Sequence, residues 1–270
     1  MDKKIGFIGF GKMGQAILAG ILKSGIAAPQ QVKLSAATDE TLAKAKDTFG
    51  IIGTKNNREI AEFADVLFLA VKPGLYKKVI TEIKEAVHSE AIIVMIAAGI
   101  TLADIEDGFG RKVKAVRTMP NTPSLVGEGM TALCANESVT MDDLEAVVEI
   151  LGSIGKTEIV AEELMDAIPA ISGSSPAYAF MFIEALADGG VRQGIPRDQA
   201  YRLAAQAVLG AAKMVLETGR HPGSLKDDVC TPGGATIEAV ADLESSGFRG
   251  AILSAMESCT KKIKQLAGGK

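Results

Sequence analysis

The chain has 270 residues, 47% of them hydrophobic and 23% charged, with a formal net charge of −4; this is the balance of a globular protein large enough for about two domains. Aromatic residues make up only 4%, tryptophan is absent and acids outnumber bases by 33 to 29, which argues against the basic, ring-bearing grooves that bind nucleic acid. Three cysteines, Cys134, Cys230 and Cys259, and two histidines, His88 and His221, make neither a disulfide framework nor a zinc centre, so no metal is expected.

No apolar run approaches the roughly 18 residues of a membrane span. The opening Met1-Asp2-Lys3-Lys4-Ile5 runs into a strand-like segment without the apolar stretch of a secretory leader. Free thiols suit a reducing compartment, so the cytoplasm is the expected location and no membrane partner is expected.

Residues 4–8 form a β-type run, and residues 13–22 carry helical spacing that ends near Gly25. A second strand is predicted at 32–34 and an amphipathic helix at 39–49. The apolar runs 66–71 and 91–97 show no polar alternation, the mark of parallel strands buried on both faces. Helices are predicted at 75–87, 102–107 and 142–151, and strands at 113–116 and 131–135. This β-α-β-α succession predicts an α/β fold, a doubly wound parallel sheet spanning residues 1–161.

From 162 to 270 the pattern changes to long Ala-rich helices with no strand. Pro176 suits the first helical position, capped by Ser174 or Ser175. Residues 177–191 are apolar nearly all round apart from Glu184 and Asp188, which read as hydrogen-bonded packing polars. Such a helix must be surrounded. About 110 residues cannot bury it alone, so this all-α domain is expected to dimerise.

Gly9-Phe10-Gly11-Lys12-Met13-Gly14 matches G-x-G-x-x-G directly after a predicted strand and at the start of a helix. In that context it is a dinucleotide-binding fingerprint, and the sheet is of Rossmann type. Gly9 permits the tight turn, Gly11 the approach of a pyrophosphate and Gly14 close helix–strand packing; the helix start at Lys12 and Met13 adds N–H groups for the phosphates. Dinucleotide sites for NAD usually carry an acid at the end of the second strand. That region is Leu34-Ser35-Ala36-Ala37-Thr38, with no acid before Asp39. Ser35 and Thr38 are candidate donors to a ribose phosphate, with Lys33 or Arg58 nearby. NADPH is therefore favoured, with NADH as the alternative.

Several stretches together resemble the pyrroline-5-carboxylate reductase family. They are Ala70-Val71-Lys72-Pro73, Ala97-Ala98-Gly99-Ile100, Arg117-Thr118-Met119-Pro120-Asn121-Thr122-Pro123, Ser172-Gly173-Ser174-Ser175-Pro176-Ala177-Tyr178, Asp188-Gly189-Gly190-Val191 and Thr231-Pro232-Gly233-Gly234-Ala235-Thr236. They cover nearly the whole chain in order, and the Met-Pro-Asn-Thr-Pro and Pro-Gly-Gly-Ala-Thr blocks are specific. The resemblance implies NAD(P)H-dependent reduction of 1-pyrroline-5-carboxylate to L-proline, the last step of proline biosynthesis. It also implies a helical dimerisation and substrate domain over residues 162–270, an active site between the two domains, a homodimer and, beyond it, a ring of dimers, the decamer. By the same resemblance, Ala70, Val71, Lys72, Pro73, Ala97 and Ala98 meet the nicotinamide end of the cofactor, and Asn57 lies near the adenosine ribose. Thr231, Gly233, Gly234, Ala235 and Thr236 meet the small-molecule imino acid. Three departures stand out: Ser175 where the family usually has Gly, Ala207 where it usually has Thr, and no Arg in the second-strand tail.

The chemistry agrees with the sparse inventory. A protonated C=N bond is already electrophilic, so a strong general acid is not required; His88 and His221 read as surface residues. Glycines leading into the helical pattern at 237–243 present N–H groups suited to a carboxylate. Thr236 is the candidate catalytic residue, its hydroxyl hydrogen-bonding the imine or product nitrogen, although a helix-capping role is open and can coexist. Asn121 either reaches the cofactor or only shapes its turn. A β-hydroxyacid dehydrogenase is the rival enzyme reading, but its family places a Lys at the start of the second domain, and none occurs from Ile171 through Gly190. A non-catalytic NADPH-binding protein is the second rival, against which the intact Pro-Gly-Gly-Ala-Thr loop speaks.

Overall fold

The computed structural model describes residues 1–268. Strand and helix alternate as β1 (Ile5–Ile8), α1 (Lys12–Ser24), β2 (Val32–Ser35), α2 (Asp39–Phe49), α3 (Asn57–Phe63), β3 (Val66–Leu69), α4 (Tyr76–Ile83), β4 (Ile92–Met95), α5 (Leu102–Phe109), β5 (Lys114–Met119), β6 (Gly129–Ala135), α6 (Met141–Gly152) and β7 (Gly155–Ile159). The strands form one sheet in the order β2-β1-β3-β4-β5-β6-β7. Every residue of β1, β3 and β4 is buried, as their unbroken apolar runs require. Val66 and Phe68 of β3 enter one core with Phe7, Ile17, Leu18 and Val147. Leu67 and Leu69 enter the other, with Ile60, Ile80 and Ile105. Helices therefore cover both faces, and the order reverses between β1 and β3, where open α/β sheets bind their ligands.

Strands β1 to β5 are parallel. The wholly parallel expectation is corrected beyond them: β6 runs antiparallel to β5, and β7 is parallel to β6. A parallel return needs a crossover of a dozen or more residues. The stretch between Met119 and Gly129 is too short for one, whereas α6 supplies it between β6 and β7. The pattern predicts neither α3 nor β7. Helix α3 has only seven residues and buries only Ile60 and Ala61. Strand β7 is a polar edge strand, Gly-Lys-Thr-Glu-Ile, with no buried residue.

The chain divides into two compact units, Met1–Gly173 joined by the chain from Thr260 onward, and Ser174–Cys259. Among the described residues no strand follows β7; the helices are α7 (Ser175–Arg192), α8 (Arg197–Thr218), α9 (Pro222–Val229), α10 (Ala235–Ser245) and α11 (Phe248–Gly268). Helices α7 and α8 pack through small residues: Ala187, Ala200 and Ala204 are buried, and a Cβ on Gly190 would stand 3.3 Å from that of Ala200. Two local expectations change. Ser174 occupies the cap position of α7, but its hydroxyl makes no cap bond and instead meets Cys259 Sγ at 3.3 Å. Its backbone is already helical, continuing from a π-turn over Pro169–Gly173. Glu184 and Asp188 are both exposed, and Asp188 pairs with Arg197 at the start of α8.

Candidate active site

The fingerprint loop joins β1 to α1 at the reversal of strand order. Gly9 has φ +86°, and a Cβ there would fall 2.7 Å from the Ala70 carbonyl oxygen and from Val71 Cγ1. Its N–H donates to the Ser35 carbonyl at 3.0 Å, while Ala70 N–H donates to that of Ile8 at 2.8 Å, so the loop is sewn to its neighbours on both sides. A Cβ on Gly11 would meet no protein atom within 4 Å: the space beside it is open. Gly11 is also the cap of α1 and offers no side chain, so the first N–H groups of the helix, at Lys12 and Met13, are free for an anion. Gly14 is buried in the first turn.

The tail of β2 lies beside this loop. Ser35 is fully buried and its hydroxyl donates to Asn57 Oδ1 at 2.7 Å, so it braces Asn57 rather than facing outward as a phosphate donor. Thr38 is exposed and caps α2, accepting from Thr41 N–H at 3.3 Å. Lys33 pairs with Glu59 and Lys55 with Asp39, the first acid after the strand. Arg58, next to Asn57, is exposed and has no ion pair among the described residues. Nothing acidic at the strand end opposes a 2′-phosphate.

The ends of β3 and β4 complete this side. Half-buried Ala70 and Val71 lead into exposed Lys72 and Pro73. Just before them the buried Tyr76 hydroxyl donates to the Leu69 carbonyl at 2.6 Å, and burial pushes its phenol far above the ordinary range. Ala97, Ala98 and Gly99 line a small recess with Arg117, Met119 and Asp166. Arg117, which the sequence marks only as part of the Arg-Thr-Met-Pro-Asn-Thr-Pro stretch, has a buried guanidinium that donates to Asp166 at 2.6 Å and Glu162 at 3.4 Å. Glu162 in turn accepts from Leu102 N–H at 2.8 Å. Asn121 is buried with both ends of its amide engaged: Nδ2 donates to the Ser172 carbonyl and Oδ1 accepts from Met130 N–H, each at 2.9 Å. Those bonds serve the turn, and with the Arg117 pairs they fasten the segment 162–172. Cys134 is buried, and burial pushes its thiol up to about 11, which keeps it from the thiolate form that nucleophilic cysteines use.

In the second unit Thr231-Pro232-Gly233-Gly234 forms a tight turn closed by Gly234 N–H donating to the Thr231 carbonyl at 3.0 Å. Gly233 has φ +68° and Pro232 precedes it, the requirements of a type II turn. A Cβ on Gly234 would fall 2.3 Å from Thr231 Oγ1. Gly234, not Thr236, is the cap of α10, and it leaves the helix start uncapped by any side chain. Ala235 and Thr236 are the first two helical residues; Thr236 is half-buried. His221 is the cap of α9, its Nδ1 accepting from Gly223 N–H at 3.0 Å. His88 is exposed, its Nε2 3.0 Å from the Ala64 carbonyl.

A glycine cradle at the strand-order reversal, an acid-free second-strand tail and an appended helical unit define the class: a dinucleotide-dependent oxidoreductase. The family model described as "Pyrroline-5-carboxylate reductase dimerisation" matches residues 162–266, and that described as "NADP oxidoreductase coenzyme F420-dependent" matches residues 4–99. The chain is 49% identical to the pyrroline-5-carboxylate reductase of Escherichia coli over 99% of each chain. Its fold is similar to that of the Coxiella burnetii enzyme of the same name (TM-score 0.92, 35% identity, 99% of both chains). The Plasmodium falciparum pyrroline carboxylate reductase, solved with NADP bound, matches with TM-score 0.88 at 32% identity over 98% of both chains. The chain belongs to the pyrroline-5-carboxylate reductase family.

Proposed function

We propose that the protein reduces the imine carbon of 1-pyrroline-5-carboxylate with NADPH to give L-proline, NADH being the alternative donor. The observation that carries this reading is the turn at Thr231–Gly234 leading into an uncapped helix, because the glycine cradle is common to many dehydrogenases. Backbone N–H groups at Ala235 and Thr236, beyond Gly233 and Gly234, hold the substrate carboxylate with Thr231 assisting. The hydroxyl of Thr236 hydrogen-bonds the ring nitrogen, accepting from the N–H of the protonated imine and turning to donate to the amine lone pair that forms as the hydride arrives.

The residues of the first unit fit a dinucleotide. Gly9, Gly11, Gly14, Lys12 and Met13 take the pyrophosphate, Asn57 the adenosine ribose, and Val71, Lys72, Pro73, Ala97 and Ala98 the nicotinamide end. When bound, the cofactor supplies the hydride. Arg58 is better placed than the buried Ser35 to meet a 2′-phosphate, since its guanidinium is uncommitted. We assign residues 1–161 to nucleotide binding and 162–270 to dimerisation and substrate binding, dimers to assembly into a decameric ring, and the protein to the cytoplasm. No described helix is long and apolar enough to cross a membrane.

The test is steady-state oxidation of NADPH and NADH with and without 1-pyrroline-5-carboxylate, with Thr236→Ala beside the parent. Imine-dependent oxidation that falls about 10- to 1,000-fold in the variant, at unchanged melting temperature, is the expected result. Nucleotide binding without any imine-dependent turnover overturns the reading.

A further inference from the structure

A line of hydrogen bonds runs from the end of β2 through the start of α3 to the last turn of α4. The buried Ser35 hydroxyl donates to Asn57 Oδ1 at 2.7 Å, and Asn57 Nδ2 donates to Glu82 Oε2 at 2.9 Å. The line begins at the fingerprint, because the same Ser35 accepts from Gly9 N–H through its carbonyl. Its two outer members constrain the amide differently. A hydroxyl serves either end of an amide, as donor to the oxygen or acceptor from the nitrogen. An ionised carboxylate only accepts, so it takes the NH₂ end and repels the oxygen. Which way Asn57 faces is therefore decided by Glu82. With that choice made, one Nδ2–H of Asn57 and one lone pair of Oδ1 remain to serve a ligand. Glu82 is half-buried and forms no ion pair among the described residues, so no cation competes for its carboxylate.

We infer that Glu82 is a positioning residue for dinucleotide binding, fixing the Asn57 amide so that its remaining N–H is offered to the sugar of the adenosine half. The inference rests on the assignment of Asn57 to that sugar. Glu82 touches no part of the dinucleotide itself. Its effect belongs to nucleotide affinity and not to the hydride step. A neutral amide replaces it only in part: the Oε1 of a glutamine can receive the same N–H, but its NH₂ can equally serve Asn57 Oδ1, so a bond survives without fixing the orientation, whereas leucine can receive nothing and frees the amide to turn over.

Full-length Glu82→Leu, Glu82→Gln and Asn57→Ala are compared with the parent in two assays. One varies NADPH at saturating imine; the other titrates NADPH alone by nicotinamide fluorescence. Glu82→Leu is expected to raise both KM and Kd for NADPH about three- to tenfold, the scale of one hydrogen bond, with kcat changed less than about twofold. Glu82→Gln should also weaken NADPH, by no more than Glu82→Leu, and Asn57→Ala should weaken NADPH at least as much as Glu82→Leu. Weaker binding in Asn57→Ala with unchanged binding in Glu82→Leu overturns the positioning role and leaves the Asn57 assignment standing. Unchanged binding in Asn57→Ala overturns both. A Glu82→Leu protein that loses kcat and melting temperature with KM unaltered, or a Glu82→Gln protein that binds NADPH like the parent, also overturns the inference.

Discussion

At the residue scale, the three glycines of the fingerprint do unequal work. A side chain on Gly9 meets both a positive φ and backbone atoms that cannot retreat, at 2.7 Å from the Ala70 oxygen. One on Gly14 would meet its nearest neighbour, Phe10, at 3.5 Å, an ordinary contact. The close strand–helix approach that G-x-G-x-x-G suggests for Gly14 lies elsewhere, at Gly6 of β1, where a Cβ would stand 2.6 Å from that of Ala64. Gly9→Ala should therefore cost about 1–3 kcal/mol of stability and abolish measurable NADPH binding. Gly14→Ala should stay within about 1 kcal/mol of the parent and still bind. Denaturant unfolding and NADPH fluorescence measure both, and equal damage from the two would refute the argument. The motif was legible because its spacing is local. The partners of Ser35 and Asn121 were not: both are polar residues at strand ends, and only the fold decides that Ser35 is sealed behind Asn57 and that the Asn121 amide meets Ser172 and Met130.

At the scale of elements, buried strands announced themselves and exposed ones did not, since a short strand shows itself in sequence only through apolar positions, consecutive or alternating. That is why β3 and β4 were found and β7 was missed. Strand direction was partly readable from loop length, as the short link into β6 shows. Helix α6 is secured by an ionic joint that periodicity cannot reveal. Thr140 caps it, Asp143 returns the cap from the third position, and Asp143 Oδ2 also stands 2.9 Å from Lys114 Nζ of β5. Burial alone pushes the Asp143 carboxyl up, but hydrogen bonds from Lys114 and Thr140 outweigh it and hold the group below its ordinary value. A carboxyl depressed in the folded state contributes stability above its unfolded pKa and loses it as pH falls through the folded one. Asp143→Asn should therefore cost about 1–2 kcal/mol at pH 7, with the gap to the parent closing below about pH 4. Urea unfolding of both proteins at pH 7 and pH 3 decides this; a gap of the same size at both pH values refutes the joint's ionic character.

For the whole molecule the decisive contrast is between the two units. The first has two complete cores, one on each face of its sheet. In the second, Ala187, Ala200 and Ala204 are the buried apolar residues among those described, while Phe180 is 62%, Met181 69% and Leu216 80% exposed. Burying a large apolar side chain contributes about 1.5–3 kcal/mol, and the single chain leaves these contributions unmade. The all-round apolar character of 177–191 was thus a legible sign of a partner, and the dimerisation match over 162–266 agrees with it; what composition could not give is which side chains meet the partner. If association completes this core, folding and assembly are linked and stability depends on protomer concentration. The melting temperature should rise steadily across a hundredfold range of protein concentration. Met181→Asp, which sets a charge on the apolar face of α7, should shift the mass measured by light scattering from oligomer toward monomer. It should also lower the melting temperature by several degrees, because an aspartate in an apolar interface must stay unpaired or pull water in. A Met181→Asp protein that keeps its oligomeric mass, or a parent whose melting temperature ignores concentration, would show that this face is not where the second unit finds its missing core.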